Sequence, residues 1–348
     1  MAPTPAVPAR VLVIRLGAIG DVANALVFAS ALRAARPDIH IGWVTHDQAY
    51  PVVDGHPDVN RTFLWKRSRG SAALPGLISK LRAERYDLVV DLQRILKSAF
   101  LARSVRTQRT LGFDRRRAKE GSWLLHREHI AAGDPTAHMV EQYLEFAAHL
   151  GAAGPAVHRL PADHAAEQAA EKRVAELGGA PILIQLGANK VANRWPAERF
   201  GQLAARLTDL GPVCLCGGPD DRELGTRALA AVPKGLSVHD LVDRTNLSEW
   251  IALARRSRVF IGCDTGPMHL AAATNLPVIA LFGPANPRRT GPYGHWDPGS
   301  PHRVLRTDLP CSPCGNRTCA RPSREGPRDQ CMTDLTIEQV EQAARAAC

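Results

Sequence analysis

Val259–Gly283, VFIGCDTGPMHLAAATNLPVIALFG, decides how the rest of the chain is read. Val259 to Gly262 is a short apolar run fit for a buried parallel strand. Asp264, Thr265 and Gly266 make a turn, and Pro267 suits the first helical position, where its missing N–H costs nothing. Met268 to Thr274 favours helix, and Leu276 to Phe282 is a second apolar run ending in Gly-Pro. Strand, turn, helix and strand in that order imply a parallel α/β unit. A helix N-terminus beside the carboxyl end of a parallel strand presents free N–H groups and a positive dipole end, which suits phosphate. The turn adds a carboxylate (Asp264), a hydroxyl (Thr265) and an imidazole (His269). Taken alone, Asp-Thr-Gly-Pro fits a simple helix cap equally well.

Working outward, strand and helix patterns alternate along the whole chain, which argues a parallel sheet with helices on both faces. Arg10–Arg15 reads as the first strand, followed by Gly17-Ala18-Ile19-Gly20-Asp21 and a helix from about Val22 to Ala35. Ile39–Val44 and Tyr86–Asp91 are further strands, and Ala137–Leu150 is a long helix. Gly151–Val157 is rich in Gly, Ala and Pro and reads as a hinge. A second series follows: Pro181–Leu186, Val213–Cys216 ending in Cys-Gly-Gly-Pro-Asp-Asp, then the opening stretch, and a closing helix at Thr336–Ala347. The expected division is a disordered tail at 1–9, a first domain at 10–155, a second at 156–334, and a final helix at 335–348 that could pack back on the first domain. The fold class is α/β with two doubly wound, Rossmann-like domains facing a cleft.

The loop after the first strand is G-x-x-G, not the G-x-G-x-x-G of a dinucleotide site, and the acid expected at the end of the second strand is absent. No D-x-D motif stands at a strand end, so no catalytic divalent metal is expected.

The formal net charge of +10 is unevenly spread. Arg61–Lys119 holds 16 basic against 4 acidic residues. Such a field attracts an anionic partner. With aromatics at 5% and no zinc-finger, helix-turn-helix or RNA-stacking motif, nucleic acid is not expected. No run approaches the 18 or so apolar residues of a spanning helix. The Pro-rich start lacks the charged-then-apolar order of a signal peptide, so a cytoplasmic location is expected.

Of the eight cysteines, Cys214, Cys216 and Cys263 sit on or beside buried strands and read as inert. Cys311, Cys314, Cys319 and Cys331 form C-x2-C-x4-C-x11-C in a Pro/Gly/Arg-rich loop. Four cysteines so close in a cytosolic protein read as a structural zinc or iron site more readily than as disulfides or reduced thiols.

DTGPMHLAAA followed by P-x-I-A-L-F-G-P, together with RVLVIRLGAIGDV at Arg10–Val22, resembles glycosyltransferase family 9, the bacterial ADP-heptose:lipopolysaccharide heptosyltransferases. The resemblance runs from Arg10 to about Val340. It implies the GT-B arrangement and inverting, metal-independent transfer from ADP-heptose to an anionic glycolipid such as lipopolysaccharide inner core. The work would be done peripherally at the inner face of the inner membrane. By position, Asp21 matches the family's proposed catalytic base, with Gly17 and Gly20 on the acceptor side. The donor side would comprise Asn189, Asn193 and Arg194 before Trp195-Pro196, Asp221 for the ribose (with Glu223 beside it), Thr245 and Leu247 near the adenine, and Asp264, Thr265, Gly266, Pro267 and His269. Asn193 stands where relatives carry a phosphate lysine, so Arg194 or Lys190 would supply that charge. Arg94, Lys97, Arg115, Arg116 and Arg117 would meet acidic groups of the acceptor. Two rivals remain at this point: another nucleotide-sugar enzyme of the same architecture (an epimerase or a protein glycosyltransferase), and a non-catalytic nucleotide or polyanion binder.

Overall fold

A computed structural model describes residues 7–320 and 329–348. Part of the expected N-terminal tail, and residues 321–328 of the Cys-rich loop, lie outside the described residues. The chain divides into two compact units, Met1–Pro161 and Ala162–Cys348.

The first unit runs β1 (Arg10–Ile14), α1 (Ile19–Ala35), β2 (His40–His46), α2 (Tyr50–Val53), β3 (Arg61–Trp65), α3 (Leu74–Ala83), β4 (Leu88–Asp91), α4 (Leu96–Ser104), β5 (Arg109–Gly112), β6 (Glu128–His129) and α5 (Met139–His149). Its sheet is parallel, in the order β3-β2-β1-β4-β5-β6. The central strands are buried on both faces, as a sheet covered by helices on each side requires. On one face Leu12, Ile14, Val89, Leu77 and Leu101 form a core under α3 and α4. Along α1, residues Val22 to Leu32 are all buried, and the helix packs against α5, with Phe28 edge-on to Phe146.

The second unit runs α6 (His164–Leu177), β7 (Ile182–Gln185), α7 (Ala197–Arg206), β8 (Val213–Gly217), α8 (Arg222–Ala230), β9 (Val238–Val242), α9 (Leu247–Ala254), β10 (Val259–Cys263), α10 (Gly266–Ala273), β11 (Val278–Phe282), α11 (Pro287–Thr290), β12 (Arg303–Arg306), α12 (Gln330–Thr333) and α13 (Ile337–Ala347). The order β12-β11-β10-β7-β8-β9 is again parallel. Counted from its own first strand, this is the order of the first sheet. In each sheet the connections wind outward to one edge and then reverse. The reversals lie between β1 and β4 and between β7 and β10. In open α/β sheets, ligands usually bind beyond the carboxyl ends of the strands at such a reversal.

Two boundaries differ from expectation. The segment expected to be a hinge ends inside the first unit, because His56 Nε2 donates to Arg159 O at 3.0 Å and Arg159 Nη1 pairs with Asp58 at 2.9 Å. The final helix, allowed by the sequence to fold back on the first domain, packs against α7 and β10 of the second unit, with Val340 and Ala344 fully buried in that core. Thr336 and Gln339 form its capping box.

Candidate active site

The first reversal point is made by the loops after β1 and β4. Gln93 Oε1 accepts the Leu16 N–H at 2.9 Å, tying the two loops together. The helix begins earlier than expected, at Ile19, so Asp21 is its third residue and not its cap. There a carboxylate meets the positive end of the helix. The Asp21 carboxylate is 39% exposed and Oδ2 lies 2.6 Å from Arg15 Nη2, whose side chain is 4% exposed. Burial by itself would lower the pKa of Arg15, but Asp21, Tyr143 and Asp91 outweigh it and raise it, so the guanidinium stays charged. Arg15 was not singled out in the sequence. The available signal was a basic residue closing the strand Arg10–Arg15, five residues before Gly20 of the Gly-Asp pair. Beneath it lies a second buried set: Asp91 accepts from Ser98 Oγ and the Gln93 N–H, each at 2.8 Å, and faces His126 Nε2 at 3.2 Å.

The second reversal point is made by the loops after β7 and β10. Thr265, not Asp264, caps α10, accepting the Met268 N–H at 3.3 Å. Gly266 is the first helical residue and Pro267 the second. Asp264 is therefore spared the cap, and Asn193 Nδ2 donates to its Oδ2 at 3.2 Å. Asn193 is 3% exposed, and its own Oδ1 has no partner among the described residues. His269 Nε2 stands 4.0 Å from Asp264 Oδ1. Asn189 is exposed on the same loop, and Arg194, half-buried, donates from Nε to Ala188 O at 2.9 Å. Beside them, Asp221 accepts the Gly218 N–H at 2.9 Å. A Cβ at Gly187 would lie 2.1 Å from Asp221 Oδ1, so the β7 loop and the β8 turn touch only because residue 187 has no side chain. Thr245 precedes Asn246, which caps α9 in a capping box with Glu249, and Leu247 is the first helical residue.

Residues 76–323 match glycosyltransferase family 9 (heptosyltransferase). The chain is 31% identical to lipopolysaccharide heptosyltransferase 1 of Pseudomonas aeruginosa over 95% of its length and 92% of that protein. The chain belongs to glycosyltransferase family 9. Two solved structures share the fold: a family 9 glycosyl transferase from Veillonella parvula (TM-score 0.81, 22% identity, 97% of each chain covered) and the Escherichia coli heptosyltransferase WaaC with ADP (TM-score 0.76, 24% identity, 97% and 100% covered). Family 9 membership makes this chain a glycosyltransferase.

The basic residues of this glycosyltransferase do not form one uniform set. Arg115 and Arg116 are exposed, with Arg115 stacked 5.3 Å over Trp123. Lys97, exposed at the start of α4, sits 4.1 Å over the Trp65 ring, and burial together with Arg67 lowers its pKa. Arg94 lies over Phe113 at 5.1 Å. Arg117 differs from the expected acceptor contact: its side chain is 0% exposed, paired with Asp114 and Glu145 and donating to Ala131 O. It holds the basic loop in shape and offers no surface charge.

Burial pushes the Cys214 and Cys263 thiols up to about 12 and raises Cys216 as well, in keeping with inert core cysteines. Cys311, Cys314 and Cys319 line one cavity of about 330 Å³. Partial burial, followed by the nearby Cys314 and Cys311 thiols, pushes Cys331 up to about 11. Among the described residues, no three His, Cys, Asp or Glu side chains meet in ligating geometry. The loop has a second property that the sequence did not show. Arg317 O accepts the Ala192 N–H at 3.2 Å, Gly315 N donates to Pro284 O at 2.7 Å, and Ser312 Oγ donates to Gly283 O at 2.6 Å. It thus straps the loop after β7 to the turn after β11.

Proposed function

We propose that this glycosyltransferase transfers heptose from ADP-heptose to the inner core of lipopolysaccharide, with inversion at the anomeric carbon. The acceptor hydroxyl oxygen forms a bond to that carbon and passes its proton to Asp21. The bond from the anomeric carbon to the β-phosphate oxygen breaks, and its electron pair leaves with ADP. Arg15 holds the Asp21 carboxylate in one rotamer at the start of α1. The N-terminus of α10, with His269 and Arg194, offers the fixed positive potential that a departing diphosphate needs. Asp264, carried by Asn193, orients the sugar, and Asp221 faces the ribose. Thr245 and Leu247 border the adenine, while Arg94, Lys97, Arg115 and Arg116 meet the acidic groups of the acceptor. The enzyme works at the cytoplasmic face of the inner membrane as a peripheral protein. Among the described residues no helix is long and apolar enough to cross a membrane. A structural zinc or iron bound by Cys311, Cys314, Cys319 and Cys331 would draw the strap closed. It lies outside the transfer chemistry.

The observation that carries this reading is what stands at each of the two reversal points of a family 9 chain. One holds a carboxylate fixed by a buried arginine, and the other holds a helix N-terminus with a carboxylate bonded to Asn193 and an imidazole. The relative in Pseudomonas aeruginosa named above is a lipopolysaccharide heptosyltransferase, and the Escherichia coli neighbour holds ADP. The test is calorimetric titration with ADP, UDP, GDP and CDP, with and without EDTA, followed by turnover of ADP-heptose on heptose-free lipopolysaccharide. The expected result is selective ADP binding that EDTA leaves unchanged, and acceptor-dependent release of ADP. Preference for another nucleotide, or turnover of nucleotide sugar without acceptor, would overturn the donor or the reaction respectively.

A further inference from the structure

Three large apolar side chains lie exposed on adjoining elements of the first unit: Leu96 (48%), Phe100 (55%) and Leu124 (67%). Leu96 and Phe100 are four residues apart and share one face of α4. Leu124 lies on the single turn Ser122–Leu125, against which α4 packs. Single exposed apolar residues are ordinary, but three large ones on two elements that pack together are not. Their surroundings are cationic. Arg82 donates to Ser104 O at 2.8 Å, joining α3 to α4. The groove between these helices, about 690 Å³, is lined by Ile78, Phe100, Arg82 and Arg106. Arg103 is exposed on the same face of α4.

The acids nearby do not offset this charge. Glu84 is engaged by Arg10 and Arg61, Asp87 accepts the Arg10 N–H, and Asp91 is buried. Glu120, at the edge of the patch, accepts the Leu96 N–H at 3.1 Å. Exposed apolar groups amid unspent arginines match a surface of anionic headgroups over acyl chains. The apolar side chains enter the headgroup boundary while the guanidinium groups stay at phosphate level. A soluble polyanion would engage the arginines but leave Leu96, Phe100 and Leu124 in water.

We infer that the α3–α4 face, with Phe100, Leu96 and Leu124 at its centre and Arg82, Arg103 and Arg106 around them, is where the enzyme docks on an anionic bilayer. This rests on the reading that the acceptor is a lipid-anchored glycan, and names the surface that brings the enzyme to it.

The test is co-sedimentation of the full chain with large vesicles of phosphatidylcholine alone or with about a third phosphatidylglycerol, over a range of salt. Alongside it runs ADP release on a delipidated, soluble acceptor. Wild type is expected to bind only the anionic vesicles, and less as salt rises. Phe100→Ser with Leu124→Ser, and separately Arg103→Glu, should each weaken binding by about tenfold or more. Lys234→Glu, an equal charge change on the second unit, should not. All variants should keep wild-type melting temperatures and wild-type turnover of the soluble acceptor. Vesicle binding that needs Arg103 but ignores Phe100 and Leu124 would overturn the inference in favour of a polyanion surface. So would a wild type that turns over the soluble acceptor yet ignores anionic vesicles. Anionic vesicle binding through these residues, with no turnover of any acceptor, would support the surface and count instead against the heptosyl transfer.

Discussion

The two sheets share one strand order, yet their reversal points are furnished differently. At the first, the decisive carboxylate is anchored: Asp21 is held 2.6 Å from an arginine whose side chain is almost wholly buried. At the second, the carboxylate is balanced on a neutral amide: Asp264 takes a hydrogen bond from Asn193, while Thr265 relieves it of capping. One scaffold position can serve different needs. On the proposed roles, the group that receives a proton is tethered by a buried charge, and the group that meets the ligand takes a hydrogen bond from an amide with an imidazole 4.0 Å away.

The sharpest way to break this contrast is to remove the two charges in turn. Asp21→Asn should lower kcat by about a thousandfold while ADP affinity stays within about twofold, since a missing general base costs roughly 10²–10⁴ in rate. Asp264→Asn should raise the KM for ADP-heptose by about tenfold and touch kcat less. Steady-state kinetics with calorimetric ADP binding separates the cases. If Asp21→Asn instead loses ADP, the assignment of roles to the two reversal points is reversed.

A smaller effect compares the two units as folded bodies. His56 in the first unit and His302 in the second are both pushed down to about 4, in each case chiefly by burial. Their folded pKa values lie below the unfolded value of about 6.5. Above that pH both states are neutral and no stability is lost. As pH falls from about 6.5 towards 4, only the unfolded chain takes up the proton. Each histidine then removes up to about 1.4 kcal/mol of stability per pH unit. Melting curves at pH 7, 6 and 5 should fall progressively. His56→Gln should flatten the fall for the first unit alone, and an unchanged slope would show that His56 charges freely in the folded state.

The smallest effect concerns the Cys-rich strap at the second reversal point. Cys331→Ser should raise the KM for ADP-heptose by about threefold with kcat unchanged, because the strap holds the Ala192 backbone and not a reacting atom. Elemental analysis should find about one zinc or iron per wild-type chain and less in the variant. Protein with no metal and an unchanged KM would dissolve both the cluster and the strap.

Much of this was readable along the chain. The alternation of strands and helices, the Gly-Asp loop, the Asp-Thr-Gly-Pro turn and the Thr336 capping box are each written in neighbouring residues. Other features were not, for a common reason. Capping preference alone cannot say where a helix starts within a residue or two, so the sequence did not show that Asp21 is the third residue of α1 or that Thr265 caps α10. Arg117 looked like its neighbours Arg115 and Arg116, but Asp114, Ala131 and Glu145 on the distant α5 hold it inward.

By itself the sequence determined the class of fold, the family and where the loops after the strands lie, because hydrophobic period, turn residues and caps act over a few positions of chain. Tertiary structure decided what those loops hold. Asn193 reaches Asp264 across 71 residues of sequence, and the Cys-rich loop that follows the edge strand β12 reaches Ala192. Parallel strands need long crossovers, so residues that touch at a reversal point come from segments far apart in the chain, and no local pattern records their meeting.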